Sequence, residues 1–127
     1  MNWLSQSFLV GVGGFIGANL RYWIGGLVLA IRPGSFPWQT FIVNFVGSFF
    51  IGVVMAWLIR QGGNDPIRLF VAVGLLGGFT TMSAFSFEVL SLLRTNQTGT
   101  AVGYAILTML ICVAASWAGT MSAGRTF

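Results

Sequence analysis

Four long runs of apolar residues, separated by short polar breaks, make up the hydrophobic pattern of the chain. They extend approximately from Trp3 to Leu29, from Pro37 to Ile59, from Pro66 to Leu93 and from Gly99 to Ser122. A bilayer core about 30 Å thick needs roughly 20 apolar residues in a helix, and each run reaches that length. The pattern predicts an all-α integral membrane protein in which four transmembrane helices form a single domain over residues 1–127.

The three breaks carry turn residues and are short. They contain Pro33-Gly34, Gly62-Gly63 and Asn96-Gln97. Breaks of this length leave no room for an extramembrane domain. The first run lacks a basic leader and a cleavage motif, so we expect it to be a membrane helix rather than a signal peptide.

The amino-acid composition excludes a water-soluble protein. The chain is 56% hydrophobic and 6% charged, whereas a water-facing surface has roughly a quarter of its residues charged. The formal net charge of +4 comes from arginines scattered singly, so we expect no nucleic-acid partner. Cys112 stands alone, and neither a disulfide nor a cysteine metal cluster can form within one chain.

Arginine and lysine, which normally stay on the cytoplasmic side, give the chain almost no preferred orientation. The two sides of a four-span topology collect nearly equal sets: Arg60, Arg68 and Arg125 against Arg32 and Arg94, with Arg21 as a possible third. A chain without a preference inserts both ways. Two opposite copies can then pair about a two-fold axis in the membrane plane, which predicts an antiparallel homodimer.

Small residues at four-residue spacing also allow close helix packing. The pairs are Gly13 with Gly17, Gly74 with Gly78, and Ala115 with Gly119. Packing within one chain and pairing between copies both remain open as explanations. Four helices have little space for a polar interior, so we favour an oligomer.

Polar side chains recur every four residues in two spans. The second span carries Thr40, Asn44 and Ser48, and the fourth carries Thr100, Tyr104, Thr108, Cys112, Ser116 and Thr120. Such rows lie on one helix flank, winding by about 40° per step. They either hydrogen-bond between helices or line a pathway. Asn44 is the stronger pathway candidate, because a buried amide has two hydrogens to donate.

Charged side chains are nearly absent from the middle of the spans. Glu88 lies toward one end of the third span, and Asp65 lies in a loop. Proton-coupled cation antiport needs a mid-membrane carboxylate, and acid–base catalysis needs a set of titratable groups, so we expect neither an antiporter nor an enzyme. Neutral donors, with Arg21 as the only charge well inside the first span, favour a small anion.

The third span contains GGFTTMSAFSFE, from Gly77 to Glu88. This stretch resembles the third-span signature of the Fluc (CrcB) fluoride channels, GGxTTFSTFSxE. Segments from Gly14 to Tyr22 and from Pro37 to Asn44, followed by Gly47, fall in the same order as in that family. The resemblance covers all four spans, the fourth mainly in length and polarity. It implies a fluoride-selective channel in the inner (plasma) membrane that lets fluoride leave the cell passively.

The resemblance also implies the assembly and the ions. The family forms antiparallel homodimers with two fluoride pores. Its third helix breaks near the membrane centre, and the backbone carbonyls of Gly77 and Thr80 from both subunits are expected to hold a structural sodium ion. Irregular backbone at that depth is tolerated where protein or an ion satisfies the freed groups.

The resemblance, which matches Asn44, Ser83, Phe85 and Tyr104 directly, combines with the polar rows to give a set of pathway candidates. They are Asn44, Met82, Ser83, Phe85, Tyr104, Thr40, Thr108 and Ser116, with Arg21 as a charge in the vestibule. Met82 stands where the family has phenylalanine, and Ala84 where it has threonine. Either the pathway tolerates a polarizable thioether, or conduction is weakened or altered.

Two alternatives remain, one from the same transport class and one from a different class. A small multidrug-resistance type antiporter shares the size, the four spans and dual topology, but its first-span glutamate is missing here. A non-transporting membrane scaffold would use the glycine contacts, but it leaves Asn44 and the hydroxyl rows unexplained.

Overall fold

The computed structural model describes residues 1–124, and its regular secondary structure over that range is helical. The elements are α1 (Trp3–Ile31), α2 (Trp38–Arg60), α3 (Asp65–Ile67), a π-helical segment (Arg68–Leu76), α4 (Gly77–Phe79), α5 (Met82–Arg94) and α6 (Thr98–Ser122). With the region 65–94 taken as one span, four helices are long and apolar enough to cross a membrane, which confirms the prediction of an all-helical protein with four candidate spans. Arg125, counted above among the arginines, lies outside the described residues.

Large apolar side chains cover the outside of the helices. Phe15, Val113 and Trp117 are among those that are mostly exposed. A surface of this kind would aggregate in water, whereas in a bilayer it meets hydrocarbon. The exposed face is therefore the lipid-facing or partner-facing surface of a membrane protein.

The spans pack in an interleaved order. α1 packs mainly on the π-helical segment, and α2 packs mainly on α6. Glycines permit both contacts, because a Cβ at Gly74 would lie 2.8 Å from the carbonyl oxygen of Val10, and one at Gly119 would lie 3.0 Å from the backbone nitrogen of Val53. Helix backbones approach this closely only where a side chain is missing.

These contacts decide between the two explanations of the glycine spacing. Added Cβ atoms at Gly13 and Gly17 would meet the backbone of Leu75, and one at Gly74 would meet the backbone of α1. The glycines of the three small-residue pairs therefore pack helices of the same chain. Of the two explanations that the sequence left open, packing within one chain is the one that these contacts support.

Two threonines interrupt the third span near its centre. Thr80 has φ −79° and ψ 157°, and Thr81 has φ −148° and ψ 115°, so both are extended. The Thr81 hydroxyl then caps α5 by accepting a hydrogen bond from the Ala84 N–H at 3.2 Å. The break lies within the predicted signature, whereas the π-helical turns that precede it were not predicted.

Candidate ion pathway

The side chain of Asn44 in α2 forms hydrogen bonds to both backbone groups of one residue in the interruption of the third span. Its Nδ2 donates to the Thr81 carbonyl oxygen at 3.0 Å, and its Oδ1 accepts from the Thr81 N–H at 2.8 Å. The side-chain amide thus replaces the helical partners that the break removes, which a membrane interior requires. One Nδ2 hydrogen takes no part in this pair of bonds.

The pairing with Asn44 has a consequence for Gly77. In a continuous α-helix, the Thr81 N–H would donate to the Gly77 carbonyl four residues earlier. That N–H is committed to Asn44, so the Gly77 carbonyl loses its α-helical donor. Gly77 is also exposed, and its carbonyl is available to another partner.

Arg21 of α1 reaches the other predicted sodium ligand. Its Nη1 lies 3.5 Å from the Thr80 carbonyl oxygen, a long hydrogen bond. The Thr80 hydroxyl donates to the Leu76 carbonyl oxygen at 3.0 Å. Arg21 therefore lies beside the break, and it also lines two cavities of about 260 and 520 Å³ on the side of Gln39. This position suits the predicted vestibule charge.

A cavity of about 410 Å³ lies at the break. It brings together six of the residues predicted for ion binding: Asn44, Gly77, Thr80, Met82, Phe85 and Thr108. Its remaining wall is mostly apolar and includes Met109 and Cys112 of α6. A largely apolar cavity with a few converging polar groups is the usual form of a binding site for a small ligand.

Thr108 lines this cavity and is buried, at 5% exposure. Among the residues from 1 to 124, its Oγ1 is the one buried side-chain polar atom without a hydrogen-bond partner. The oxygen lies behind the cavity surface, so the lining there is formed by the rest of the side chain. An unsatisfied buried hydroxyl costs about 1–3 kcal/mol.

Two other candidates lie away from the cavity in a second cluster. The Thr40 hydroxyl donates to Glu88 Oε1 at 2.5 Å, and the Tyr104 hydroxyl donates to Glu88 Oε2 at 2.8 Å. The Tyr104 side chain is 1% exposed, and its ring packs 5.1 Å from that of Phe85. Glu88 thus joins α2, α5 and α6.

Sequence reasoning missed Glu88 because it lies toward the end of a span. A signal was present, since this residue closes the third-span signature and is the only acid between Met82 and Arg94. Its two donors are members of the polar rows. Their roles could not be separated until the helix rotations were known.

Two further candidates have local or interhelical partners. Ser83 is exposed, and its hydroxyl lies 3.2 Å from that of Thr81. Ser116 donates to the Ser48 carbonyl oxygen of α2 at 2.9 Å. Ser116 therefore matches the interhelical alternative that the sequence left open, and neither serine lines the central cavity.

A hard metal ion at the break would use backbone oxygens. Over residues 1–124 no group of three or more His, Cys, Asp or Glu side chains could hold one. Carbonyl oxygens suit hard cations, and those of Gly77 and Thr80 are the ones that the break frees or leaves weakly bonded. The residues present thus fit a monovalent or divalent hard cation held by backbone.

Comparison with known proteins gives consistent similarities. Residues 8–120 match the family described as "CrcB-like protein, Camphor Resistance (CrcB)". A protein of Hyphomonas neptunium named "Fluoride-specific ion channel FluC" is 43% identical over 94% of this chain and 95% of its own length. Proteins of the same name from Novosphingobium aromaticivorans and Caulobacter vibrioides are 47% and 36% identical, over 80% and 98% of this chain and 82% and 99% of their own lengths.

Proposed function

Because the chain belongs to the CrcB family, we propose that it is a fluoride-specific ion channel that lets fluoride leave the cell down its gradient and so lowers cytoplasmic fluoride. The chain is a multi-pass protein of the plasma membrane. Its function is transport rather than catalysis.

The cavity at the break is the observation that carries this proposal. Asn44 and Thr108 line it, and Asn44 retains an amide hydrogen beyond the one that it donates to Thr81. Fluoride is small and strongly hydrated, so a selective pathway needs close donors that replace its water. Neutral donors supply this without trapping the anion as a fixed positive charge would.

The alternatives explain fewer features. The carboxyl of Glu88 is engaged by Thr40 and Tyr104, unlike the open mid-membrane carboxylate that an antiporter uses. A scaffold built on glycine contacts has little support, since those glycines pack helices of one chain. It also gives no reason for the cavity at the break.

The proposed assembly is an antiparallel homodimer with two pores. Its support is the balance of arginines, because Arg60 and Arg68 lie on one side of the four-span topology and Arg32 and Arg94 on the other. Arg21 lies beside the break and does not add to either side. In this assembly the second copy covers the open face of the central cavity and the exposed side chain of Met82.

A structural sodium ion is part of the proposal. The carbonyls of Gly77 and Thr80 from two copies would hold it on the two-fold axis. Sodium would supply only charge at this place, offsetting the carbonyl dipoles that meet at the break. Asn44 and Arg21 orient the neighbouring backbone and so keep those carbonyls in position.

Liposomes carrying the purified protein test the function. They are loaded with fluoride or with chloride, and release is followed with ion-selective electrodes against empty liposomes. Fluoride release without chloride release is expected. Release of neither ion would favour a non-transporting scaffold, and release of both would remove the proposed specificity.

A further inference from the structure

Three sulfur-bearing side chains line the central cavity. Met109 and Cys112 lie on α6, and Met82 lies at the start of α5. Residues three apart on a helix are neighbours on its surface, about 60° apart around the axis. The cavity thus has a thiol and a thioether side by side on one wall and a second thioether from another helix.

Thr108 lies four residues before Cys112 on the same flank of α6 and lines the same cavity. Its hydroxyl oxygen is buried behind the cavity surface. On this wall the sulfur atoms of Met109 and Cys112 are therefore the groups that offer lone pairs to an ion.

The donor set selects the class of ligand. Thiolate and thioether sulfurs prefer soft cations such as Cu⁺ and Ag⁺, whereas carbonyl and carboxylate oxygens prefer hard ones. Cys112 is half-buried, so a small ion in the cavity can reach its sulfur. When silver binds, a silver–sulfur bond forms, the S–H bond breaks, and the proton leaves to water without any electron transfer. The thiolate cancels the charge of the cation, so the bound pair carries no net charge into the membrane.

We propose that the central cavity is a binding site for a monovalent soft cation, held by the Cys112 thiolate and the Met109 thioether, with the Met82 thioether as a third ligand. A cation bound there occupies the cavity that the anion would cross. Binding stands independently of the transport function, whereas block of flux rests on the proposed fluoride channel.

Titration with silver nitrate in a chloride-free buffer tests the site, with calorimetry and proton release as readouts. One silver ion per chain and about one proton released per silver are expected. Cys112→Ser should abolish this binding. Met109→Leu and Met82→Leu keep the apolar volume and should each weaken it about tenfold, since each removes one weak ligand. Met121→Leu is the matched control, because Met121 lies on α6 but does not line the cavity.

The outcomes distinguish a site with cysteine and methionine ligands from binding by the Cys112 thiol alone. Binding that survives Cys112→Ser would overturn the proposal, as would the absence of binding to the native protein. Loss in Cys112→Ser with unchanged affinity in both methionine variants would also overturn it, because only a thiol would then be involved. Circular dichroism and gel filtration identify folded variants, and Cys112→Ala serves if Cys112→Ser does not fold.

Flux measurements form the second arm. In chloride-free medium, silver should inhibit fluoride release by the native protein and have little effect on Cys112→Ser, each compared with its own silver-free rate. Silver binding without inhibition would overturn the placing of the site in the pathway. If the native protein releases no fluoride at all, the channel proposal fails, and the titration still decides whether the cation site exists.

Discussion

At the scale of single residues, Asn44 does two tasks with one side chain. It bonds both backbone groups of Thr81, and its remaining amide hydrogen is available to the cavity. Replacing Asn44 by aspartate keeps the acceptor for the Thr81 N–H but turns the donor into a second acceptor facing the Thr81 carbonyl. We expect Asn44→Asp to lower the free energy of unfolding by about 1–3 kcal/mol and to abolish most fluoride flux.

Thermal unfolding in detergent and liposome efflux measure the two effects. Asn2→Asp is the matched control, because the Asn2 side chain at the exposed start of α1 only accepts hydrogen bonds, from the Ser5 N–H at 2.9 Å and the Ser5 hydroxyl at 2.8 Å. It should match the native protein in both assays. Native flux in Asn44→Asp would make Asn44 a packing residue alone.

Met82 allows a test of the aromatic ring that the family has at its position. Met82 lines the cavity, and methionine and phenylalanine have similar apolar bulk, so Met82→Phe can be accommodated. A ring edge offers a positive rim to an anion, and an aromatic interaction is worth about 1 kcal/mol, so we expect fluoride flux to rise several-fold. Phe87→Met, the reverse exchange at an exposed position outside the cavity, should leave flux unchanged.

Equal efflux from the native protein and Met82→Phe would remove Met82 from the rate-limiting part of the pathway. Phe85→Met is a weaker test than its place in the signature suggests. Phe85 is 6% exposed and packs on Tyr104, so its replacement disturbs the core as well as the cavity.

The sequence predicted which residues belong to the site better than it predicted which residues they form hydrogen bonds with. The signature and the polar rows identified Asn44, Met82 and Thr108, which do share one cavity. The rows did not reveal that Thr40 and Tyr104 bond to Glu88, because partners depend on the rotation of each helix about its axis. Periodicity shows which residues share one flank of a helix, whereas tertiary packing determines which neighbouring residues that flank contacts.

At the scale of the helices, Glu88 links three of them through its two donors. Tyr104→Phe leaves the ring in the core but removes one hydrogen bond to the carboxyl. We expect it to lower the free energy of unfolding by about 1–2 kcal/mol. Tyr22→Phe is the control, because Tyr22 is 77% exposed. A similar melting temperature for both variants would show that the bond to Glu88 contributes nothing to stability.

The glycine contacts between α1 and the third span give a second prediction for the helices. In Gly78→Ala, the new Cβ would lie 2.6 Å from the Gly14 carbonyl oxygen, and a backbone atom cannot swing aside as a side chain can. We expect a loss of about 1–3 kcal/mol in the free energy of unfolding.

Gly103→Ala is the matched control on α6, where nothing lies within 4 Å of the added Cβ. There the better helix propensity of alanine should raise stability by up to about 1 kcal/mol. Thermal unfolding of both variants in the same detergent measures the difference. Stabilisation of both would contradict the close contact at Gly78.

The sequence predicted where the helices lie but not all of their geometry. Apolar run length placed four spans to within a few residues, and the glycines and hydroxyls of the signature indicated a break. No feature of the hydrophobic pattern indicated the π-helical segment, because a wider turn changes the backbone hydrogen bonding without changing which residues are apolar. The glycine spacing likewise predicted close approach without identifying the helix that approaches.

At the scale of the whole molecule, balanced arginines are proposed to allow insertion in both orientations. Gln97→Arg with Thr98→Arg adds two charges to one side, and Gln61→Arg with Ser122→Arg adds two to the other. We expect each double variant to insert one way and to form few dimers, since a pair needs opposite copies. Cross-linking in membranes measures the pairing.

Expressing the two double variants together should restore the dimers and the fluoride flux. Each double variant therefore serves as the control for the other. Full pairing of either variant expressed alone would contradict the antiparallel assembly. It would instead indicate that copies pair in parallel.

The interleaved packing of the spans bears on how the chain is synthesised. α2 enters the membrane well before α6, its main partner, and α1 likewise precedes the π-helical segment. Translation at about 5–20 residues per second makes the delay between Arg60 and Thr98 a matter of seconds. During that interval, lipid must cover the groove at Gly52 that α6 later fills. The nascent protein therefore cannot mature hairpin by hairpin, and its period of exposure to membrane quality-control proteases lasts until the fourth span emerges from the ribosome.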